Sequence, residues 1–318
     1  MLAFASLVYV VLFAQHRASP SGYMQTQYFI NPAYSATSNT MAVNLMARKQ
    51  WWGIEGAPTS YRLAAYSPIN NTLMSVGGAL SLEEYGVYKA YMAIISYAYL
   101  LKISPVTFLS LGINTNVHSH QIAFNELKLV NNNDPYFSNA SESETQVNMA
   151  SGAFLYSRKF YLGFSVSNLL EATKVLRSYE PDQMHQKRQF YMTMGYTFRP
   201  NQEIGIRPSF LSQYQKQDAY SLTGGVQLIY KDLFWVGAAY SKGGWMGSLI
   251  NLKVQKDFWI AYAFDFAVGN NLINRSNHEI AISCNIYAFY KKNKKRAFGK
   301  RKIKKDKHKE SMKSLRNF

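Results

Sequence analysis

The stretch Phe258-Trp259-Ile260-Ala261-Tyr262-Ala263-Phe264-Asp265-Phe266-Ala267-Val268 decides the fold of this chain. Large apolar residues occupy the even-numbered positions from Phe258 to Phe266, whereas small or acidic residues occupy the odd-numbered positions from Ala261 to Ala267. A period of two residues is the geometry of a β-strand, in which neighbouring side chains point to opposite faces. The stretch therefore predicts a strand with one apolar face and one face of small and polar side chains.

The same alternation recurs along most of the chain, for example over residues 221–230 and 279–290. About 14 such segments, each roughly 10–15 residues long, run from Met41–Gln50 to Asn277–Tyr290 and are separated by polar turns. A large antiparallel sheet must protect its edge strands, and closure into a barrel is one of the few solutions. We therefore predict an all-β fold, a transmembrane antiparallel β-barrel of about 14 strands in a bacterial outer membrane, formed by residues 41–290.

Composition supports a membrane barrel. Aromatic residues make up 15% of the 318 residues, with 24 Tyr and 19 Phe, which exceeds the need of a soluble core of this size. Membrane barrels use such residues as girdles because Tyr and Trp combine an apolar ring with a polar tip. The mean hydropathy is only −0.21, because each strand combines apolar side chains that face lipid with small or polar side chains that face the lumen.

The lengths of the connections predict an orientation. Turns after even-numbered segments are mostly short, such as Lys102–Pro105 and Pro200–Gln202. Connections after odd-numbered segments include the long ones, Gln121–Gln146, Glu171–Lys187 and Gly269–Ser276. Outer-membrane barrels have short periplasmic turns and longer extracellular loops, so the short turns are expected to be periplasmic.

The N-terminus predicts export from the cytoplasm. Leu2–Ala14 is an apolar run of 13 residues, too short for a membrane-spanning helix but suited to a secretory signal. We predict a signal peptide at residues 1–14, the alternative being a buried strand or helix near the barrel. Residues 15–40 are predicted to be a periplasmic or plug segment.

The chain has a single cysteine, Cys284, which excludes an internal disulfide framework. Cys284 falls on the apolar face of the last strand, which favours a packing role.

The C-terminal residues 291–318 differ from the rest in charge. They hold 14 Lys and Arg against Asp306 and Glu310, a surplus of 12 out of the net charge of +17. Mutual repulsion and the scarcity of apolar residues predict a flexible periplasmic tail. It is either a solvated extension or a segment that grips anionic lipid headgroups or acidic partners. The predicted signal peptide argues against nucleic-acid binding.

Several short segments resemble a known family. They are Asn31-Pro32-Ala33-Tyr34, Arg48 with Gln50, Trp51 and Gly53, then Gly56-Ala57-Pro58-Thr59, Gly163–Asn168, Arg207-Pro208-Ser209 and His278-Glu279-Ile280. In this order, and over about residues 25–285, they resemble the type IX secretion system membrane proteins of Bacteroidetes called PorP/SprF.

The resemblance implies a non-enzymatic outer-membrane component that supports export or surface attachment of cargo proteins, in some relatives gliding adhesins. It also implies three kinds of partner: other type IX secretion subunits, a periplasmic peptidoglycan-binding lipoprotein and a secreted surface adhesin. The periodicity alone supports only a barrel in outer-membrane lipid, with a polar interior.

The matched residues are the candidates for partner binding, namely Asn31, Pro32, Tyr34, Arg48, Trp51, Gly53, Gly56, Ala57 and Pro58. At the end of the first strand a Trp can anchor at the lipid headgroups, and Gly and Pro favour a tight, rigid loop. One interpretation is purely structural: the Trp belongs to an aromatic girdle, and the Gly and Pro residues form a turn. The other is that this loop is a docking site for an exported protein or a translocon subunit. The Asn31–Tyr34 segment either plugs the lumen or seals the barrel base, or it binds a partner.

Residues suited to catalysis or metal binding are scarce. His118 and His120 lie on one side of the fifth strand, but no third ligand is nearby, which favours a role as interfacial polar residues. No Gly-rich phosphate loop or Cys-x-x-Cys is present, so no enzyme, cofactor or resident metal is predicted. The remaining alternative is a passive porin-like solute channel. Porins need charged lumen residues, whereas this lumen face is mainly small and neutral, with sparse charges such as Asp265 and Glu279.

Overall fold

The computed structural model describes residues 21–70, 72–123, 141–170, 187–215, 220–268 and 275–287. The predicted signal peptide (1–14), the basic tail (291–318) and most of the three long connections lie outside these residues.

The described residues form fourteen strands. They are β1 (Met41–Lys49), β2 (Thr59–Pro68), β3 (Met74–Tyr85), β4 (Tyr88–Lys102), β5 (Phe108–Ile122), β6 (Glu142–Tyr156), β7 (Phe160–Ser167), β8 (Gln189–Tyr196), β9 (Ile204–Gln215), β10 (Ser221–Tyr230), β11 (Phe234–Ser241), β12 (Trp245–Gln255), β13 (Phe258–Ala267) and β14 (Asn277–Ile286). Each strand pairs antiparallel with its neighbours in sequence, and β1 pairs with β14, so the sheet closes into one barrel. The predicted fold is confirmed.

Between residue 21, where the description begins, and β1 lie three short helical segments. Gly22–Met24 and Pro32–Thr37 are 3₁₀ turns, and α1 spans Gln27–Ile30. Among the described residues, no helix is long and apolar enough to cross a membrane.

The two faces of the wall follow the alternation of the sequence. In β13 the side chains of Ile260 and Tyr262 are exposed, whereas Ala261, Ala263 and Asp265 are buried toward the lumen. Each strand contributes at least one exposed large apolar residue to the outer face: Leu45, Leu63, Leu80, Ile95, Ile113, Val147, Phe164, Met194, Ile206, Val226, Val236, Ile250, Ile260 and Ile280. This continuous band is the surface that lipid requires, because hydrocarbon solvates apolar side chains.

The two ends of the barrel differ in their connections. The short-turn end, where β1 starts and β14 finishes, has tight turns such as residues 231–233 and 256–257. The long-loop end carries the connections 123–141, 168–188 and 268–276. Exposed tyrosines lie near both rims, for example Tyr99 and Tyr230 at the short-turn end and Tyr61 and Tyr240 at the long-loop end.

The alternation predicts the sixth strand over Val147–Ser157, the seventh over Lys159–Leu170 and the eighth over Arg188–Arg199, and the structure changes some of these bounds. β6 starts at Glu142 rather than Val147, because polar residues beyond the apolar band continue the ladder with β5. β7 ends at Ser167 rather than Leu170, since Asn168 adopts a left-handed φ of 57° that breaks the extended chain. β8 ends at Tyr196 rather than Arg199, and only an isolated bridge between Phe198 and Ile206 continues its pairing.

Candidate functional site

Residues 21–38, here called the lumen segment, cross the inside of the barrel. Their side chains and carbonyls bond to strands on all sides of the lumen, including β4, β6, β9 and β13. Most of the segment is buried, and Tyr23, Ala33 and Ser35 have no exposed surface. The interior of the barrel is therefore filled by the chain itself.

The lumen segment runs from one end of the barrel to the other. Ser21 donates a hydrogen bond of 2.5 Å to Asp265, which lies two residues before β13 ends at the long-loop end. Ser110, near the start of β5 at the short-turn end, donates to the carbonyl of Ala33 over 2.7 Å. The segment then leads directly into Met41, where β1 begins at the short-turn end.

Asn31 fixes the segment to the backbone of the wall. Its Nδ2 donates to the carbonyl oxygens of Ala153 in β6 and Phe164 in β7, over 3.0 and 3.2 Å. Its Oδ1 accepts from the backbone N–H of Ala33 and so caps the following 3₁₀ turn, which has Pro32 at its first position. One buried amide thus links two strands to the turn that carries Tyr34.

A pair of glycines makes room for this contact. Gly112 in β5 and Gly152 in β6 lie directly opposite each other in the ladder. A Cβ atom at Gly112 would stand 2.4 Å from the backbone nitrogen of Ala33, and one at Gly152 would stand 2.2 Å from Oδ1 of Asn31. No larger residue fits at either position unless the lumen segment moves.

Aromatic rings complete the packing on this side of the lumen. The ring of Tyr34 meets Phe154 edge-on at 5.5 Å and Tyr66 at 6.0 Å, and Tyr28 stacks on Tyr66 at 5.0 Å. The hydroxyl of Tyr28 is hydrogen-bonded to Ser96 at 2.8 Å, so its buried polar tip is satisfied. We call this region, formed by residues 28–36 and strands β2–β7, the packed half of the lumen.

The opposite side combines buried charge with a hydrophobic cluster in which Tyr23 and Met24 pack against Leu211 and Leu249. Arg48 lies between two buried carboxylates, 3.9 Å from Asp265 and 4.0 Å from Glu279. Asp265 also accepts the hydrogen bond from Ser21, which connects the lumen segment to this cluster. The hydroxyl of Tyr23 is hydrogen-bonded to Ser209 of β9 at 2.8 Å. We call this region, formed by residues 21–25 with strands β9–β14 and β1, the polar half of the lumen.

The loop of residues 50–58, here called the outer loop, lies outside the lumen, at the long-loop end. The backbone N–H of Trp51 donates to Asn277, and that of Trp52 donates to the carbonyl of Ser276, which ties the loop to the start of β14. Trp51, Gly53 and Gly56 all have positive φ angles, and the carbonyl of Gly56 accepts from the N–H of Gly86 in the β3–β4 turn. Two of these three residues are glycines, as a tight turn requires.

The structure separates the nine candidate residues into two groups. Asn31, Pro32 and Tyr34 are buried in the packed half, and Arg48, whose side chain is 10% exposed, faces the polar half. The other five lie in the outer loop: Trp51, Gly53, Gly56, Ala57 and Pro58. Arg48 therefore does not act with the loop that follows it by only a few residues.

Several residues that hold the lumen segment are not in that set. Ser165 in β7 donates to the carbonyl of Ile30 over 2.7 Å, and Ser209 and Asp265 bond to the segment as described. Ser165 and Ser209 lie in segments that resemble the family, and Asp265 lies on the small, polar face of the alternating stretch Phe258–Val268. These were the signals available in the sequence. The fully buried Arg207, whose Nε donates to Thr197 over 2.9 Å, adds a lumen charge beyond the sparse ones expected.

The two histidines of β5 lie near its long-loop end. The rings of His118 and His120 are stacked 6.1 Å apart, and Nδ1 of His120 is hydrogen-bonded to Tyr88. Within the part of the chain that the structure describes, no group of three or more His, Cys, Asp or Glu side chains could hold a metal ion.

Comparison with known proteins identifies the family. The model of the type IX secretion system membrane protein PorP/SprF family matches residues 12–284, which covers most of the chain. The chain belongs to the PorP/SprF family. It is accordingly a type IX secretion membrane protein built as an outer-membrane β-barrel.

Solved structures resemble this PorP/SprF barrel in fold. The CymD monoaromatic hydrocarbon channel is 9% identical, with a TM-score of 0.50 over 84% of this chain and 93% of that one. The Pseudomonas putida toluene transporter TodX is 9% identical over 80% and 92%, with a TM-score of 0.49. The Acinetobacter baumannii outer membrane protein Omp33 is 6% identical over 79% and 100%, with a TM-score of 0.48. At these identities the likeness concerns the fold alone. No curated protein matches the chain.

Proposed function

We propose that this barrel is a non-enzymatic component of the type IX machinery that supports export or surface attachment of cargo proteins such as gliding adhesins. The observation that carries the proposal is the occupied lumen, because residues 21–38 fill the space that a permanently open channel would need. A barrel filled by its own chain is suited to hold partners on its outer surfaces. Its expected partners are other type IX subunits, a periplasmic peptidoglycan-binding lipoprotein and a secreted surface adhesin.

The outer loop is the proposed docking surface for cargo or for a translocon subunit. Its backbone is fixed to β14 and to the β3–β4 turn, so its shape is set before a partner arrives. Trp52 is 59% exposed and packs on His278 with ring centres 4.8 Å apart, and Ile54 is also exposed. Exposed apolar side chains on a rigid loop are typical of binding surfaces, since little conformational freedom is lost on association.

The test replaces exposed loop side chains without touching the fold. Trp52→Ser together with Ile54→Ser is expected to reduce the amount of cargo protein at the cell surface, while heat-modifiable migration of the barrel on gels stays normal. The matched control is Ile103→Ser, because Ile103 is 60% exposed in a turn at the short-turn end. Normal cargo display by the loop variant, or an equal loss by the control, would refute docking at this loop.

The partners are tested by affinity purification from outer membranes, followed by identification of the co-purifying chains. A periplasmic lipoprotein or a large surface adhesin among them supports the proposed role. Steady conductance of the purified wild-type protein in planar bilayers would favour the passive channel instead.

A further inference from the structure

An apolar groove lies on the outer surface of the wall that encloses the packed half. It offers about 470 Å³ of space, and sites for small molecules commonly enclose about 300–1,000 Å³. Tyr97 and Tyr99 of β4 border it on one side, and Val166 of β7 borders it on the other. Gly112 and Gly152, whose lumen side meets the lumen segment, contribute to its floor.

The groove exists because β6 carries small side chains between strands that carry large ones. Ala153 of β6 is paired with Leu111 of β5 on one side and with Phe164 of β7 on the other. Ser151, the next residue on the same face of β6, is paired with Ile113 of β5. Leu111, Ile113 and Phe164 are exposed and belong to the apolar outer face. The groove therefore opens toward lipid.

The width of the groove suits an acyl chain. β5 and β7 are the two neighbours of β6, so their backbones are about 9.5 Å apart. The side chains of Leu111 and Phe164 narrow the space between them further. An α-helix with its side chains is about 10–12 Å wide and does not enter such a groove. A hydrocarbon chain does enter it, and hydrocarbon is the medium that surrounds this band of a membrane barrel.

The groove lies at the depth of the acyl chains in one leaflet. Ala153 is five residues from Arg158 in the turn at the short-turn end, which is about 17 Å along a strand. At a strand tilt of about 40° this is a depth of about 13 Å, and the hydrocarbon core is about 30 Å thick. A row of leucines continues the apolar surface from the groove toward the turns: Leu109, Leu155 and Leu162, which are paired with one another. A lipid whose headgroup lies at the turns therefore reaches the groove with its chain.

The two turns beside the groove at the short-turn end are basic. Lys102 ends β4, and Arg158 and Lys159 form the turn between β6 and β7. The two turns are neighbours, because β5 and β6, which they flank, are paired up to their ends at Phe108 and Tyr156. Neither turn contains Asp or Glu, so this part of the rim has a surplus of three positive charges.

Elsewhere on the same rim the cations are matched by carboxylates. Arg199 lies 2.5 Å from Asp232, and Lys231 lies 3.4 Å from Glu203. These four residues belong to the turns between β8 and β9 and between β10 and β11. The surplus of positive charge is thus local to the strands that form the groove, and it favours an anionic headgroup there.

We propose that this surface binds one anionic phospholipid of the leaflet at the short-turn end. An acyl chain lies in the groove between β5 and β7, and the phosphate lies at the turns that carry Lys102, Arg158 and Lys159. The chain fills space that the side chains of β6 leave open, and the phosphate offsets the local positive charge. A zwitterionic phospholipid offers the same chain but brings its own cation, so it binds more weakly. This inference goes beyond the proposed role in export, and liposomes test it in the absence of any partner.

The first test locates the acyl chain. The full-length barrel is placed in phosphatidylcholine liposomes that contain a phosphatidylglycerol with a photoactivatable diazirine at the end of one acyl chain. Crosslinked peptides are identified by mass spectrometry, and the crosslinks are expected to concentrate on residues 109–115, 149–155 and 160–166. At a fixed fraction of the crosslinking lipid, replacing phosphatidylcholine by unlabelled phosphatidylglycerol is expected to reduce them.

The second test fills the groove. Ser151→Leu with Ala153→Leu places two large side chains between β5 and β7 and is expected to reduce the crosslinks on these strands at least fivefold. The matched control is Ser248→Leu with Ala238→Leu, which makes the same two changes on the outer face of β12 and β11. Ser248 and Ala238 are paired with each other and exposed, and this control is expected to leave the crosslinks at the wild-type level.

The third test removes the charge. Lys102 and Lys159 are exposed, and Lys102→Gln with Lys159→Gln is expected to reduce crosslinking by the phosphatidylglycerol about tenfold. A phosphatidylcholine with the same diazirine chain is expected to label this variant and the wild type equally. The control, Lys231→Gln with Lys256→Gln, removes two cations from other turns of the same rim and is expected to change neither result.

Crosslinks spread evenly around the outer face would overturn the proposal. So would wild-type labelling of the filled groove, or an equal loss from either control. Labelling in liposomes that is replaced in native outer membranes by crosslinks between the groove and another protein would also overturn it, because a partner would then be the occupant. Heat-modifiable migration verifies that each variant forms a folded barrel.

Discussion

The two halves of the lumen hold the same segment in different ways. In the packed half, Asn31 bonds to two backbone carbonyls and Ala33 sits against Gly112, so shape decides the fit. In the polar half, Ser21 donates to Asp265, which forms a charge cluster with Arg48 and Glu279, so buried charge is added to the packing of Tyr23 and Met24. Close packing admits one arrangement, whereas buried charges depend on one another, so the two halves respond to different kinds of substitution.

The largest effect is expected from Arg48→Ala in the polar half. The change leaves Asp265 and Glu279 buried without a cation between them, and breaking a buried ion pair in this way costs about 3–5 kcal/mol. The measurement is the free energy of unfolding in detergent micelles, followed by Trp fluorescence during urea titration. Adding Glu279→Gln is expected to restore part of the loss. A harmless Arg48→Ala would mean that charge does not hold this half.

Gly112→Ala tests the packed half. The new methyl group would stand 2.4 Å from the backbone nitrogen of Ala33, and overpacking of this kind costs about 1–3 kcal/mol. The control is Gly224→Ala, where a Cβ would meet nothing within 4 Å. Both variants are compared by their urea midpoints, and equal midpoints would contradict the tight fit of the lumen segment.

Two substitutions of Asn31 separate its donor from its acceptor. Asn31→Ala removes both and is expected to cost about 1–3 kcal/mol, since buried carbonyls lose a partner. Asn31→Asp keeps the acceptor for Ala33 but sets a carboxylate against the carbonyls of Ala153 and Phe164, so it should destabilise at least as much. The temperature at which the barrel loses its compact migration on gels measures both. If Asn31→Asp left the stability nearly unchanged, Asn31 would stabilise the barrel only through its bond to the N–H of Ala33 and not through its bonds to the two carbonyls.

The smallest effect is expected from Ser209→Ala. It removes the partner of the Tyr23 hydroxyl and should cost about 0.5–1.5 kcal/mol in the same thermal measurement. Tyr23→Phe deletes the other member of the pair, and the double variant should cost less than the sum of the two single variants, because both remove the same bond. A loss as large as that of Arg48→Ala would erase the distinction between strong and weak anchors in the polar half.

Much of the fold could be predicted from the sequence. The alternation in Phe258–Val268 gives the correct faces of β13, and the lumen position of Asp265 and Glu279 follows from the same parity. Strand ends such as that of β7 could not be read, because they depend on one residue, Asn168, that adopts a left-handed conformation. The candidate residues were found through motifs, which say that residues matter without saying what they touch.

The sequence by itself determined the barrel, since a period of two assigns each side chain to lipid or lumen whatever its neighbours are. Only the tertiary structure decided what fills the lumen. Asn31 meets Gly152, and Ser21 meets Asp265, across 121 and 244 positions of the chain. Periodicity fixes the face on which a residue lies, but only the closed sheet brings such distant residues together.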